Sequence, residues 1–180
     1  MVSEPAPDPQ VRRIPNVLTE HLPGGAAVPV LFDSPHSGRT IPHDFVSRVS
    51  LFDLRTGEDA FVDVLVSGCL AHGIGLVAAE FPRTYIDVNR GIDDIDESML
   101  DAPWPGGAVP TDKSVRGMGL IRREILKGIP IYDAPLSVAE VERRIEEFYS
   151  PYHAAVRAGL DRLHAEHGSV WHVDWHSMKP

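Results

Sequence analysis

Short apolar segments that can form strands alternate along this chain with segments of helical periodicity. The strand-like segments are residues 28–32, 73–81, 85–90 and 169–178, with 119–125 as a further candidate, and helical spacing extends over residues 51–71 and 137–168. Ser137 and Glu140 form a capping box at the start of the second helical segment. Pro151 within it either begins a second helix or kinks one long helix. Because strands separated by helices are typical of α/β proteins, we predict an α/β fold with a mixed, mostly parallel sheet flanked by helices.

The length and composition place these elements in one domain. The chain has 180 residues, of which 43% are hydrophobic, and a domain of this size buries roughly 70% of its unfolded surface. Residues 1–15 are rich in proline, so we expect a flexible leader followed by a single domain over residues 16–180. The leader does not resemble a signal peptide, and no apolar run approaches the roughly 18 residues that span a bilayer. We therefore expect a cytoplasmic protein.

The net charge restricts the partners of the chain. Its formal charge at pH 7 is −9, whereas nucleic-acid and anionic-membrane surfaces need clustered Lys and Arg. A small anionic ligand remains compatible with this charge, because a local cluster of Arg can hold it. The expected partner is therefore a small molecule, with neither nucleic acid nor membrane. No sequence feature indicates an oligomeric state.

Two histidines, His36 and His176, directly follow apolar strand segments, and each precedes a serine. In open α/β sheets, ligands bind in loops beyond the carboxyl ends of strands, where residues distant in sequence converge. Two His, one carboxylate and a water form a usual catalytic zinc set, and the acidic candidates are Glu58 and Asp59. Chance is the alternative explanation, because a chain with nine His has many opportunities for such a pair.

Basic side chains form a second candidate site. The segment "FPRTYIDVNR" places Arg83 and Arg90 at either end of a predicted strand. Arg presents two parallel donors that suit a carboxylate, but a structural ion pair between Asp87 and an Arg also explains the spacing. Arg122 lies in a basic segment with two glycines, residues 116–124, which is either an anion-binding loop or a solvated turn.

Five short motifs follow one another along residues 28–180. They are "SPHSG" with His36, "YIDVNR" with Asn89 and Arg90, "GLIRR" with Arg122, "SPYHAAV" with His153 and "DWHSM" with His176. In this order they resemble the N-formylglutamate amidohydrolase family. The resemblance implies a zinc-dependent enzyme of histidine degradation with the phosphorylase/hydrolase-like fold shared with zinc carboxypeptidases and aspartoacylases. The implied reaction is hydrolysis of the formamide of N-formyl-L-glutamate, or of a related N-acyl amino acid, to formate and glutamate.

The resemblance also implies a set of metal ligands. His36 and His176 match zinc ligands, and Asp59 of "TGEDAF" matches the carboxylate ligand, with Glu58 as the alternative. Asp174 in "DWHS" is either an outer partner of this site or an ordinary strand-end residue. The helix-borne His153 is not expected to bind the metal.

Substrate contacts follow from the same resemblance. Asn89 and Arg90 match the pair that binds the substrate carboxylate in the wider group, and Arg122 is a further candidate. A different function is also compatible with these residues: a non-catalytic protein that binds acidic amino acids through its arginines. Metal content separates the two functions, since a binding protein of this kind needs no stoichiometric zinc.

Members of the family continue well past the "HSM" motif, and in the wider group a late glutamate activates the attacking water. We therefore expect this chain to be an incomplete member that hydrolyses N-formylglutamate poorly by itself, since a general base typically contributes about 10²–10⁴-fold. Glu80 is the substitute considered, although an ordinary surface position also explains it. The catalytic base is therefore left unassigned.

Overall fold

The computed structural model describes residues 10–178, and a five-stranded mixed sheet lies at its centre. Its strands are β1 (Gln10–Ile14), β2 (Leu18–Leu22), β3 (Val30–Ser34), β4 (Gly75–Ala79) and β7 (Trp171–Asp174), and a separate two-stranded sheet consists of β5 (Glu124–Leu126) and β6 (Ile129–Pro130). The order in the large sheet is β1-β2-β4-β3-β7. β3 is parallel to both neighbours, β4 and β7, whereas β2 is antiparallel to β1 and β4. The predicted mixed α/β architecture is confirmed, with the parallel pairing confined to β4, β3 and β7.

Four short helices and one long helix accompany the sheets within the described residues. They are α1 (Leu51–Arg55), α2 (Val62–Val66), α3 (Asp112–Val115), α4 (Val138–Arg144) and α5 (Ser150–His167), with 3-10 turns at Ser67–His72 and Glu97–Met99. A π-helical segment, Ile145–Tyr149, joins α4 to α5, so that residues 138–167 form one long helical segment. Gly159 of α5 lies close to β3, because a Cβ there would be 2.9 Å from the Leu31 side chain. Within residues 10–178, no helix is both long and apolar enough to cross a bilayer.

The sequence signals that delimit the long helical segment are confirmed. The Ser137 side chain accepts a hydrogen bond of 3.1 Å from the Glu140 amide. Pro151 lies in the first turn of α5, directly after the π-helical segment. Gly168 ends α5 at a φ of 75°, which glycine adopts readily.

Two predicted segments have different boundaries in the structure. Residues 10–14 form β1 rather than part of a leader, because pairing with β2 satisfies their backbone groups although their side chains are exposed; residues 1–9 lie outside the described residues. The predicted helix over 51–71 is divided into α1, α2 and a 3-10 turn. It is interrupted where the Asp59 amide donates to the His36 carbonyl at 3.0 Å, a contact that a continuous helix does not allow.

Residues 85–90 form an irregular loop, so the predicted strand is wrong there. The Asn89 amide donates to Asp87 Oδ1 at 3.1 Å, and the Arg90 amide donates to the Asp87 carbonyl at 3.2 Å. Such local bonds from an Asp compete with strand pairing and turn the chain back on itself. Of the candidate strand at 119–125, only the last two residues belong to β5.

Candidate metal centre

His36 and His176 meet beyond the carboxyl ends of two neighbouring strands. β3 ends at Ser34 and β7 at Asp174, so each histidine follows its strand by two residues. Because β3 and β7 pair in parallel, their ends lie at the same edge of the sheet. The Nδ1 atoms of the two imidazoles are 3.1 Å apart. The structure thus brings the two predicted ligands together.

The turn that carries His36 depends on a glycine. A Cβ at Gly38 would lie 2.2 Å from the Phe81 carbonyl oxygen, so a larger residue displaces the turn from the backbone that follows β4. The hydroxyls of Ser34 and Ser37 hydrogen-bond each other across the same turn. Gly38 and the two serines therefore fix the turn that carries the buried imidazole.

Asp59 completes a cluster of three candidate ligands. Its Oδ2 lies 2.9 Å from His176 Nδ1 and 3.5 Å from His36 Nδ1. The backbone bond between the Asp59 amide and the His36 carbonyl holds the carboxylate in place. The neighbouring Glu58 carboxylate lies instead 3.3 Å from Arg55, so Asp59 is the acidic residue that joins the cluster.

The three facing atoms suit a tetrahedral metal ion. Ligands bound to zinc at about 2.0–2.1 Å in a tetrahedron are about 3.3 Å from one another. The observed separations are 2.9, 3.1 and 3.5 Å, on either side of that value. Within residues 10–178, these are the His and acidic side chains close enough to share one ion, and two imidazoles with one carboxylate are a donor set that zinc favours.

A second carboxylate contacts the far nitrogen of each imidazole. Asp87 Oδ1 is 2.8 Å from His36 Nε2, and Asp174 Oδ2 is 2.9 Å from His176 Nε2. An Nε2–H that donates to a carboxylate leaves the Nδ1 lone pair for a metal. These contacts favour an outer role for Asp174. The role of Asp87 was missed, because its contact with a residue 51 positions earlier leaves no local signal.

The structural ion pair considered for Arg83 is present. Arg83 donates to Asp87 Oδ2 at 2.8 Å through Nη2 and at 3.2 Å through Nε. Burial opposes the charge of Asp87, but His36 and Arg83 outweigh it and hold its pKa far below the ordinary range. Burial likewise opposes the charge of Asp59, but the contacts of its carboxylate with His36 and His176 lower its pKa to about 2. Both carboxylates are therefore negative at neutral pH, as a cation site requires.

A cavity of about 1140 Å³ lies beside the cluster, and Asp59, Arg83 and Arg122 contribute to its wall. The Nε of Arg122 is buried without a hydrogen-bond partner. Burial, together with the neighbouring positive charge of Arg83, lowers the pKa of Arg122 to about 10, so it remains charged at neutral pH. A guanidinium with an unsatisfied donor beside the candidate metal ligands suits an anionic group. This favours the anion-binding alternative for the 116–124 segment.

Asn89 and Arg90 make their hydrogen bonds within the protein. The Asn89 side-chain amide donates to Asp174 Oδ2 at 3.1 Å. Arg90 Nε donates to the Met118 carbonyl at 3.0 Å, and Arg90 Nη1 donates to the Asn89 carbonyl. Neither residue contributes to the wall of the cavity. Their contact with a substrate stays a prediction.

Glu80 has a structural role away from this cluster. Its carboxylate accepts hydrogen bonds from Arg13 Nη2 at 2.8 Å and from Thr19 Oγ1 at 2.7 Å. These bonds connect the residue after β4 to the hairpin of β1 and β2. Glu80 is therefore not a suitable general base, and no base is assigned.

Comparison with known proteins identifies similar sequences and structures. The family model described as N-formylglutamate amidohydrolase matches residues 28–180. A curated N-formylglutamate deformylase of Pseudomonas putida is 29% identical over 156 residues, which cover 84% of this chain and 52% of that protein. A crystal structure of N-formylglutamate amidohydrolase from Ralstonia eutropha JMP134 superposes with a TM-score of 0.88 at 46% identity, over 91% of this chain and 58% of that one. The chain thus spans about half the length of the curated relatives it matches.

Proposed function

Because the chain belongs to the N-formylglutamate amidohydrolase family, we propose that it takes part in hydrolysis of the formamide of N-formyl-L-glutamate, or of a related N-acyl amino acid. The products are formate and the free amino acid. The observation that carries the proposal is the meeting of His36 Nδ1, His176 Nδ1 and Asp59 Oδ2 at separations of 2.9 to 3.5 Å. The relation of the fold to zinc carboxypeptidases is proposed on the sequence resemblance alone.

We propose that these three residues hold a zinc ion. Zinc in a site with three protein ligands supplies a Lewis acid and lowers the pKa of a water to roughly 7. Asp87 and Asp174 keep each imidazole in the Nε2–H tautomer, which presents Nδ1 to the ion. The protein therefore contributes a ligand set that is oriented before the ion arrives.

Arg122 is the proposed anchor for a substrate carboxylate. Its unsatisfied Nε and its position in the cavity wall beside Asp59 support this role. A bound carboxylate compensates the buried guanidinium and aligns the formamide with the metal ligands, which reduces the entropic part of the barrier. Asn89 and Arg90 are proposed as additional contacts on the basis of the family resemblance.

Zinc content and formate release test the proposal. We expect close to stoichiometric zinc in the purified protein by elemental analysis, and loss of that zinc in His36→Ala and His176→Ala. His164→Ala, at an exposed position of α5, serves as the control and keeps its zinc. We also expect slow, zinc-dependent formate release from N-formyl-L-glutamate, which His36→Ala removes.

Two results contradict parts of this assignment. Unchanged zinc in both strand-end variants shows that the ion lies elsewhere. Tight binding of N-formyl-L-glutamate by a protein without zinc, and without formate release, identifies the acidic-amino-acid-binding function instead.

A further inference from the structure

Three side chains of the long helical segment donate hydrogen bonds to backbone carbonyls of the 85–90 loop. Arg144 Nη1 donates to the Tyr85 carbonyl at 2.8 Å. Tyr149 Oη donates to the Arg90 carbonyl at 2.9 Å, and His153 Nε2 donates to the Val88 carbonyl at 2.9 Å. Each of these bonds ends on a backbone oxygen, so together they fix the path of the loop backbone independently of its side-chain conformations.

The π-helical segment explains why these three side chains face the same way. Side chains at positions i, i+4 and i+8 of an α-helix share one face. Arg144, Tyr149 and His153 are spaced by five and four residues, which does not fit that repeat. A π-helical turn accommodates one extra residue, and the segment Ile145–Tyr149 begins directly after the first of the three residues and ends at the second. With that residue absorbed, the three positions correspond to i, i+4 and i+8.

The loop needs such support because it is not part of a sheet. Its carbonyls at Tyr85, Val88 and Arg90 are bonded by the helix rather than by a neighbouring strand.

Burial lowers the pKa of His153, so the imidazole is neutral near pH 7, and its single N–H is the one on Nε2 that faces the loop.

The loop in turn supports both candidate histidine ligands. Asp87 accepts from His36 at 2.8 Å. Asn89 donates at 3.1 Å to Asp174, which contacts His176. The long helical segment is thus connected to each imidazole of the candidate metal centre through the backbone of the loop. Asp87 makes the connection to His36, and Asn89 with Asp174 makes the connection to His176.

We propose that Tyr149 and His153 are positioning residues, which hold the 85–90 loop so that Asp87 and Asn89 orient the two imidazoles. The inference rests on the proposed metal site. Neither residue touches the ion, so each variant keeps the complete ligand set. Their effect therefore appears in metal affinity and in the mobility of the loop.

Tyr149→Phe, His153→Ala and His153→Gln test this inference. Substitution of a direct outer partner usually weakens metal affinity about 10- to 100-fold, so for these more remote contacts we expect roughly 3- to 10-fold in Tyr149→Phe and His153→Ala. Competition with a chromophoric chelator measures the zinc Kd. Gln places a side-chain N–H near the position of Nε2, so His153→Gln restores much of the affinity. His164→Ala on the same helix is the control and leaves it unchanged.

Hydrogen exchange and cobalt substitution separate positioning from general destabilisation. We expect faster exchange of the backbone amides of residues 85–90 in the metal-free Tyr149→Phe and His153→Ala proteins, with the β3 and β4 amides unchanged. The visible spectrum of the Co²⁺-loaded variants shifts if the ligand geometry relaxes. Wild-type zinc affinity in both Tyr149→Phe and His153→Ala overturns the inference, as does uniform loosening of the whole chain.

Failure of the underlying metal site gives a different pattern. In that case the wild-type protein itself lacks stoichiometric zinc, and His36→Ala has no effect on metal content. Normal zinc binding by the wild type, lost in His36→Ala but unaltered in both helix variants, contradicts the positioning role alone.

Discussion

His36 and His176 make matching contacts in contrasting surroundings: the side chain of His36 is 1% exposed and that of His176 is 30% exposed. Their outer carboxylates differ in the same way, since Asp87 is fully buried and Asp174 is 32% exposed. His36 lies in a turn that packs on the core, whereas His176 follows β7, which is the last strand at one side of the sheet. One half of the centre is therefore held by packing, and the other depends more on its own hydrogen bonds.

The largest expected difference between the two sides follows removal of each imidazole. His36→Ala and His176→Ala both lose zinc and a contact with Asp59, but only His36→Ala also removes the imidazole that donates to the fully buried Asp87. We expect the free energy of unfolding of the metal-free protein to fall by about 2 kcal/mol in His36→Ala and by about 1 kcal/mol in His176→Ala. Urea denaturation in the presence of a chelator measures both. Equal losses show that burial does not distinguish the two sides.

Substitution of the two outer carboxylates, Asp87 and Asp174, compares their contributions to zinc affinity. Asp87→Asn keeps the size of the side chain but removes the charge that faces His36 and Arg83, so we expect zinc affinity to weaken roughly 10- to 100-fold. Water partly replaces the exposed Asp174, and Asp174→Asn is expected to weaken affinity by less than about 10-fold. Chelator competition on the two variants gives the ratio. A larger effect from Asp174→Asn contradicts the inference that the buried carboxylate, Asp87, contributes more to zinc affinity than the exposed one.

The two arginines are expected to give smaller effects than Asp87. Arg122 has a buried, unpaired Nε, whereas Arg90 is bonded to carbonyls. A Lys does not reproduce the guanidinium fork, so Arg122→Lys is expected to weaken binding of N-formyl-L-glutamate about 10-fold. Arg90→Lys also weakens it, but only about 2- to 3-fold. Titration calorimetry on the zinc-loaded proteins compares them, with unchanged zinc content as the control. Equal affinity in Arg122→Lys and the wild type shows that Arg122 is not the anchor.

The accuracy of the sequence predictions depends on the range of the interactions involved. The Ser137 cap and the end of the second helical segment at residue 168 were predicted correctly, because the signals at both ends act within one helical turn. The strand predicted over 85–90 was wrong, because the alternation of its side chains does not report the turn that Asp87 forms with its own neighbours. The helix over 51–71 was too long for a related reason: a contact between Asp59 and His36 interrupts it.

The sequence by itself determined the α/β class, the two strand-end histidines and, through five ordered motifs, the family. These are properties of short segments and of their order along the chain. Only the tertiary structure decided that Asp59 rather than Glu58 joins the histidines, that Asp87 contacts His36, and that Arg122 keeps an unpaired donor. The physical reason is that each depends on contacts between residues far apart in the sequence, as far as the 140 positions that separate His36 from His176. The pairing of β3 with β7 and the contacts of the 85–90 loop with the long helical segment set these distances.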